Sequence, residues 1–175
     1  GAPTGQKWGD TGGKETPLIS EAELKARMAE RERRRLRQTT QARFFGVKID
    51  SHDVVYVVDI SGSMAEQLQS TIVEGRPATR MDVVKREIEK SLQALEPETS
   101  FNLITFNSAV MKWKEGVSVL NDKTRAEALE YVAHLGSRGG TNIYDAMQTA
   151  FADPRVDTIF LLTDGEPSSG AVTDL

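Results

Sequence analysis

The sequence predicts an α/β fold, a doubly wound and mostly parallel sheet with helices on both faces. Two near-continuous apolar runs, VVYVVDI at 54–60 and VDTIFLLTD at 156–164, are typical of strands buried on both faces of a parallel sheet. Segments with helical periodicity lie between them, and strands that alternate with amphipathic helices form right-handed parallel crossovers. The chain has 175 residues, 38% of them hydrophobic, which suits one domain with a modest core, expected over 44–175.

Residues 1–43 are predicted to form a flexible lead-in followed by a charged helical linker. Residues 1–19 are rich in Gly, Pro and Thr without periodicity, as linkers are. Ser20 and Glu23 form a capping-box pattern, which predicts a helix over about 21–38. The apolar stripe of this helix is thin. That favours a solvated charged helix over the alternative, a specific basic docking surface.

A helix and two strands are predicted after the first buried run. The segment 81–95 places apolar residues three or four positions apart, which indicates a helix with one buried face. FNLITF at 101–106 predicts a strand. A short strand at 110–113 follows after a gap of three residues, and this spacing favours a hairpin at the edge of the sheet.

Two more helices are predicted before the last buried run. Asn121 or Asp122 can cap a helix that extends to His134. The next helix begins at Asn142, and Pro154 ends it. These helices complete the alternation of strands and helices that a doubly wound sheet requires.

The places of two segments stay open. FFGVKI at 44–49 either pairs at an edge of the sheet or runs extended across it, because a central strand at 54–60 already has two neighbours. Residues 64–80 form a long lead into the helix at 81–95. We expect this lead to shape the rim of a site at the adjacent strand end.

Composition and charge exclude several classes of function. Residues 1–43 carry 10 Lys and Arg against 6 Asp and Glu, whereas residues 44–175 carry 12 against 20. An acidic domain repels phosphate backbones, so no nucleic-acid partner is expected. No segment approaches the roughly 20 consecutive apolar residues of a membrane span, so no direct membrane insertion is expected. The absence of cysteine excludes a disulfide scaffold, a thiolate zinc site and a cysteine nucleophile, and it leaves the compartment open.

Polar residues follow both buried strands at their carboxyl ends, where open α/β sheets bind ligands. D-I-S-G-S places Asp59, Ser61 and Ser63 at alternating positions in a turn, and T-D-G-E-P places Asp164 after the last strand. Between these motifs, the glycines of G-G-T-N free the backbone so that Thr141 projects just before a helix. Two carboxylates and three hydroxyls are hard oxygen donors. They predict a Mg²⁺ site, with Mn²⁺ or Ca²⁺ as alternatives.

These motifs resemble the metal-ion-dependent adhesion site of von Willebrand factor type A (vWA) domains, which have a Rossmann-like fold. Asp59, Ser61 and Ser63 match the D-x-S-x-S motif of that site, and Thr141 and Asp164 match the threonine and aspartate that follow it. The flanking sequences VVYVVDISGSM, GGTNIYDAM and IFLLTDGEP are similar to those of bacterial members.

The resemblance implies a metal-dependent protein-interaction module of the adhesion type. It implies that Ser61 and Ser63 hold the ion directly and that Thr141 binds it directly or through water. Asp59 and Asp164 are implied to bind largely through water. One coordination position is then left for the carboxylate of an Asp or Glu side chain on a partner protein.

The resemblance covers about 53–170, and members of the family continue past the T-D-G strand with further strand and helix units. We therefore expect this chain to be part of a larger protein, with later strands and helices of the domain outside it. A vWA subunit coupled to an ATPase, as in metal-chelatase-type complexes, is compatible with the same site and stays an alternative.

An enzyme is the less favoured class. Asp59 as a phosphoryl-accepting nucleophile would resemble haloacid-dehalogenase-type phosphatases, but Ser61 stands where their D-x-D-x-T motif has its second carboxylate. I-S-G-S-M is not the G-x-S-x-G of a serine hydrolase, and no histidine is placed to activate Ser61. Neither of the glycine-rich phosphate-binding motifs occurs.

Four other potential metal ligands are given structural roles. Asp145 and Glu166 are close in sequence to the site motifs, and we expect both to lie on the solvated surface. His52 lies in a predicted turn, and His134 near a helix C-terminus is explained by the helix dipole. Neither histidine is predicted to bind a metal.

Overall fold

The computed structural model describes Ser20 and residues 22–29, 42–165 and 168–170. The chain divides into two compact units, Gly1–Thr39 and Thr40–Leu175. Within the described residues, none of the helices has the length and apolar character of a membrane span.

The first unit contains helix α1 at residues 22–29. The capping box predicted for it is present, because Ser20 Oγ accepts a hydrogen bond from Glu23 N at 3.2 Å and Glu23 Oε2 accepts one from Ser20 N at 3.2 Å. The predicted lead-in at 1–19 and the remainder of the predicted helix at 30–38 lie outside the described residues.

The second unit contains strands and helices in alternation. Its strands are β1 (Arg43–Phe44), β2 (Val47–Lys48), β3 (Asp53–Asp59), β4 (Gln67–Val73), β5 (Arg76–Thr79), β6 (Ser100–Phe106), β7 (Val110–Lys112), β8 (Ser118–Val119) and β9 (Thr158–Leu162). Its helices are α2 (Arg80–Ala94), α3 (Asp122–Ala133), α4 (Ile143–Phe151) and a 3₁₀ turn at Gly62–Ala65.

The central sheet has the strand order β7-β6-β3-β9, with β8 also paired to β6. Strand β3 is parallel to both neighbours, and Tyr56 lies between Leu103 of β6 and Phe160 of β9. Strand β7 is antiparallel to β6, as the predicted hairpin requires. Among the described residues β9 pairs with β3 alone and forms an edge. The predicted mostly parallel α/β sheet is confirmed.

Side chains alternate along β3 between two hydrophobic cores. Val54, Tyr56 and Val58 belong to the larger core, which also contains buried residues of α2 and α3. Val55 and Val57 belong to the smaller core, which contains Ala146 and Ala150 of α4. Helices therefore cover both faces of the sheet, which confirms the doubly wound arrangement.

Tyr56 lies at the centre of the larger core and is fully buried. Its hydroxyl shares a hydrogen bond with Ser91 Oγ of α2 at 2.5 Å. Its ring lies 5.0 Å from the ring of Phe44 and 5.9 Å from that of Phe160, between centroids. Burial raises the pKa of the Tyr56 hydroxyl well above its usual value. This residue links the sheet to α2 through both its ring and its hydroxyl.

The segment at 44–49 forms part of a separate small hairpin. Strands β1 and β2 pair with each other in antiparallel fashion and with no strand of the central sheet. Phe45 and Gly46, in the turn, both have positive φ, 47° and 81°. Phe44 is 3% exposed and packs on Tyr56. Both predicted alternatives are therefore wrong: the segment neither pairs at the sheet edge nor runs extended, because it turns back on itself as a hairpin with Phe44 buried against the face of the sheet.

The long lead into α2 contains a second hairpin that the sequence analysis did not identify. Strands β4 and β5 are antiparallel, and Glu74 and Gly75 between them have φ of 52° and 77°. Two successive positive φ angles are typical of the tight turns that connect hairpin strands. Arg80 N donates to Glu66 O at 3.1 Å, which joins the two ends of the hairpin.

The start of α2 carries a charged cap that makes stability depend on pH. Thr79 Oγ1 accepts a hydrogen bond from Asp82 N at 3.1 Å, and Asp82 Oδ2 accepts one from Thr79 N at 2.8 Å. The Arg76 guanidinium, 2.8 Å from Asp82 Oδ2, holds the pKa of that carboxyl well below its usual range. A carboxyl group whose pKa is lowered by folding stabilises the native state. This contribution is fully present above the pKa of the unfolded state, near 4, and is lost as the pH falls below that value.

We expect Asp82→Asn to flatten the loss of stability below about pH 4. The asparagine side chain does not titrate, so the variant loses the contribution of this carboxylate at every pH. Melting temperatures measured between pH 2 and pH 7 test this. Asp122→Asn at the start of α3, where the carboxylate is exposed, serves as the control. An unchanged pH profile in Asp82→Asn would show that this carboxylate does not contribute.

Candidate metal site

The predicted site residues lie at the carboxyl ends of β3 and β9 and before α4. Asp59 is the last residue of β3, and Ser61 and Ser63 follow it around the 3₁₀ turn. Asp164 lies two residues after β9, and Thr141 precedes the N-cap of α4. Because β3 and β9 are adjacent parallel strands, their carboxyl ends bring Asp59 and Asp164 to the same edge of the sheet.

Hydrogen bonds connect four of these residues in one chain. Asp59 Oδ1 accepts from Ser61 N at 2.7 Å, Ser61 Oγ lies 3.0 Å from Ser63 Oγ, and Ser63 Oγ donates to Asp164 Oδ1 at 2.9 Å. The single proton of the Ser63 hydroxyl is directed to Asp164, so Ser61 donates to Ser63. Asp59 and Ser61 are buried, at 0% and 1% exposure, whereas Ser63 is exposed. This series of hydrogen bonds thus extends from the core to the surface.

Thr163 supports Asp59 and was not identified from the sequence. Its Oγ1 donates to Asp59 Oδ2 at 2.8 Å. With Ser61 N on the other oxygen, both oxygens of Asp59 accept hydrogen bonds. Thr163 directly precedes Asp164 at the end of β9, and this position in T-D-G is the sequence signal that could have identified it. The two bonds hold the Asp59 carboxylate in one orientation.

The loop that carries Thr141 is fixed beside the D-I-S-G-S turn by backbone hydrogen bonds. Gly62 N donates to Gly139 O at 3.0 Å, and Arg138 N donates to Ile60 O at 2.8 Å. Gly139 has φ of 81°, a conformation that favours glycine. The glycine predicted to free the backbone therefore does so in a turn that contacts the serine loop. Thr141 is 6% exposed at this position.

Ser168 closes the site from the other side and was also missed. Thr141 N donates to Ser168 Oγ at 2.9 Å, and Ser168 N donates to Thr141 O at 2.9 Å. Ser168 therefore lies against the Thr141 loop. Its serine lies in a run of small polar residues, whose sequence alone does not distinguish a contact from a solvated loop.

Arg80 is the third residue that sequence reasoning missed. Its Nη1 lies 2.5 Å from Asp164 Oδ2, and its Nη2 lies 2.9 Å from Glu66 Oε2. The Asp164 side chain is 10% exposed and that of Arg80 is 32% exposed, so the pair is partly buried. A positively charged group is thus in direct contact with one of the two carboxylates of the site.

The donor set suits a hard divalent cation. It offers carboxylates from Asp59 and Asp164 and hydroxyls from the two serines and Thr141, with no imidazole or sulfur. Such oxygen donors match Mg²⁺, Mn²⁺ or Ca²⁺. Among the described residues there is no group of three or more His, Cys, Asp or Glu side chains that could hold a metal.

Three other potential ligands have hydrogen-bond partners outside the predicted ligand set. Asp145 Oδ2 accepts from Asn142 Nδ2 at 2.7 Å at the start of α4. His134 is the C-cap of α3, with its Nδ1 2.8 Å from Glu130 O. His52 N donates to Asp157 Oδ2 at 3.3 Å. Glu166 lies outside the described residues.

Comparison with known proteins finds the same fold in solved bacterial structures. A von Willebrand factor type A protein from Catenulispora acidiphila matches with a TM-score of 0.57 and 23% identity, over 71% of this chain and 29% of that one. The PilB minor pilin from Streptococcus sanguinis matches with a TM-score of 0.54 and 25% identity, over 69% of this chain and 32% of that one. These neighbours show the fold.

Sequence comparison finds relatives in mammals. Human von Willebrand factor A domain-containing protein 3A is 30% identical over 127 residues, 73% of this chain. Human inter-alpha-trypsin inhibitor heavy chain H4 is 31% identical over 130 residues, 67% of this chain. The matches span 10% and 13% of those relatives' own lengths. The sequence profile of the von Willebrand factor type A domain matches residues 54–166, which include all five predicted metal ligands. The chain belongs to the von Willebrand factor type A domain family.

Proposed function

We propose that this domain is a metal-dependent protein-interaction module that binds a carboxylate of a partner protein through a divalent cation. The cation is Mg²⁺, with Mn²⁺ or Ca²⁺ as alternatives, and its ligands are Asp59, Ser61, Ser63, Thr141 and Asp164. The observation that carries the proposal is the hydrogen-bonded chain from Asp59 through both serines to Asp164. It places oxygen donors from two strand ends within reach of one another.

The proposed ligands would have different roles in such a site. Asp59 orients Ser61, because its Oδ1 accepts from the Ser61 backbone N–H. Ser61 and Ser63 present neutral hydroxyl oxygens, and Asp164 supplies a negative charge that is largely removed from solvent. Neutral ligands leave a bound ion with much of its positive charge, so the ion would act as a Lewis acid toward an incoming Asp or Glu side chain.

We propose no catalytic role for Asp59. Its side chain is fully buried, and both its oxygens accept hydrogen bonds from the chain, from Ser61 N and Thr163 Oγ1. A phosphoryl-accepting carboxylate must reach its substrate, and a residue so enclosed supports positioning of the serine loop instead. Interaction is the function that this geometry supports best.

Calorimetric titration with MgCl₂ tests the metal site. We expect the wild-type chain to bind one ion and Ser61→Ala to bind it at least tenfold more weakly, because even the loss of a residue that supports a metal ligand typically costs about 10–100-fold in affinity. Ser70→Ala is the matched control, since Ser70 is an exposed residue of β4. Equal affinity in all three proteins, or no binding by the wild type, would contradict the assignment.

The carboxylate preference has a separate test. With saturating Mg²⁺, a short peptide containing one Asp is expected to bind, whereas the peptide with Asn in its place is not. Addition of a chelator should release the first peptide, because the ion supplies the contact. Equal binding of both peptides would show that the partner is not recognised through a carboxylate.

A further inference from the structure

Arg80 bridges two carboxylates at the rim of the site. Its Nη1 contacts Asp164 Oδ2 at 2.5 Å and its Nη2 contacts Glu66 Oε2 at 2.9 Å. The two partners differ in their surroundings, because the Asp164 side chain is 10% exposed and that of Glu66 is 63% exposed. The rigid, planar guanidinium group suits such a bridge, since its nitrogens can donate to two acceptors at once.

The backbone holds Arg80 in this position. It is the first residue of α2, directly after the N-cap Thr79, and its N–H donates to Glu66 O at 3.1 Å. The β4–β5 hairpin therefore brings Glu66 and Arg80 together whether or not the side chains interact. The guanidinium stays near Asp164 even if it releases the Asp164 carboxylate.

Both oxygens of Asp164 are engaged within the chain. Oδ1 accepts from Ser63 Oγ at 2.9 Å and Oδ2 accepts from Arg80 Nη1. The guanidinium thus balances the charge of a carboxylate that is largely removed from solvent, and an unpaired charge there would be costly. A divalent cation that approaches Asp164 has to compete with this cation.

We propose that Arg80 is a built-in counter-ion of the metal site, which holds Asp164 when no metal is bound and lowers the affinity of the site for divalent cations. The inference rests on the proposed function. On metal binding Arg80 releases Asp164 and keeps Glu66, which is exposed and outside the predicted ligand set. The hairpin between Glu66 and Arg80 thereby sets the metal concentration at which the site is filled.

Calorimetric titration of Arg80→Gln with MgCl₂ tests this role. We expect its dissociation constant to be lower than that of the wild type by on the order of tenfold, the effect of removing one unit charge near a divalent ion in a water-like medium. Arg76→Gln is the matched control. It removes the same charge near the start of α2, but Arg76 pairs with Asp82 instead of Asp164, so its affinity should stay near that of the wild type.

Thermal melting with and without Mg²⁺ gives a second readout. A purely structural role of Arg80 would not change the increase in melting temperature that Mg²⁺ produces. In a chelator, Arg80→Gln is expected to melt below the wild type, because Asp164 loses its partner. The increase in melting temperature on adding Mg²⁺ is expected to be larger in Arg80→Gln than in the wild type. Arg80→Lys keeps the charge, and its Mg²⁺ affinity should lie between those of the wild type and Arg80→Gln.

The outcomes separate this inference from the proposed function. If the wild type binds Mg²⁺ and Arg80→Gln binds it equally or more weakly, the counter-ion role is overturned and the metal site stands. An equal gain in Arg76→Gln would also overturn it, since the effect would then be one of general charge. Binding by Arg80→Gln alone would contradict the proposed function of the wild type, and it would still support the action of Arg80 as a competing cation. If no variant binds Mg²⁺, both proposals fail.

Discussion

Replacing Asp59 by asparagine is expected to abolish the stabilisation of the chain by Mg²⁺. An ion that binds only the native state would stabilise the wild type by about 2.7 kcal/mol at a hundredfold excess of metal over its Kd. Asparagine keeps the size of the side chain and an oxygen that can accept from Ser61 N. It removes the buried negative charge, so the variant should retain its fold and lose the response to the ion.

The melting temperature without metal distinguishes Asp59→Asn from a variant that only damages the fold. In a chelator the wild type holds two carboxylates at adjacent strand ends, and Asp59→Asn removes one of these like charges. We expect the variant to melt at or above the wild-type temperature in chelator and below it in Mg²⁺. Asp50→Asn, at an exposed carboxylate, is the control and should respond to Mg²⁺ as the wild type does. A full response in Asp59→Asn would contradict the site.

Tyr56→Ala is expected to reduce the free energy of unfolding by about 4 kcal/mol, at the upper end for a core substitution. Tyr56 is fully buried, and its ring packs against Phe44 and Phe160. The substitution leaves a cavity between the sheet and the β1–β2 hairpin, and it leaves Ser91 Oγ without the Tyr56 hydroxyl. Since domains of this size are stable by only about 5–15 kcal/mol, a large share of the total is lost.

Two further variants divide this effect into packing and hydrogen bonding. Tyr56→Phe keeps the ring and removes the hydroxyl, so we expect a loss of about 1–2 kcal/mol. Tyr144→Ala, at a tyrosine of α4 that is 46% exposed, should change stability little. Urea unfolding measures all three. A loss in Tyr56→Ala no larger than that in Tyr144→Ala would show that the hairpin and sheet do not share one core.

The central sheet could be predicted because its strands leave a strong pattern. A strand covered by helices on both faces needs apolar residues at successive positions, and 54–60 has them and is buried as predicted. The run at 156–164 also forms a strand, but the prediction that it is buried on both faces is wrong, because β9 lies at the edge of the described sheet and Leu161 is exposed. The helix at 81–95 was predicted within one residue at each end, since one buried face imposes the helical spacing. The family prediction followed from motifs at the ends of these strands and is confirmed.

The two small hairpins could not be placed in the same way. The position of β1 and β2 depends on Phe44 packing over Tyr56, a contact between residues distant in sequence that no local pattern encodes. The β4–β5 hairpin carries a local signal, the Glu74-Gly75 turn flanked by an alternating strand. The alternation of apolar and polar residues in β4 is weak, because most of this strand is exposed.

The sequence motifs brought together four of the proposed ligands but did not indicate their supporting contacts. Ser61, Ser63 and Asp164 lie in recognisable motifs, and the structure joins them to Asp59 by hydrogen bonds. Arg80 and Ser168 reach the site from the start of α2 and from the segment after β9. A long side chain or a loop serine has no spacing rule that ties it to a distant carboxylate, so only the fold reveals these partners.

The separation along the chain of the groups around Asp59 has a consequence for kinetics. Thr163 and Asp59 lie 104 positions apart and meet only when β9 has joined β3. Closing so long a loop costs conformational entropy before the contacts between β9 and β3 can offset it. The pairing of β9 with β3 is therefore expected late on the folding pathway. An ion that needs both strand ends then stabilises the native state with little effect on the transition state. Mg²⁺ is therefore expected to leave the refolding rate nearly unchanged and to slow unfolding, which lengthens the lifetime of the folded domain.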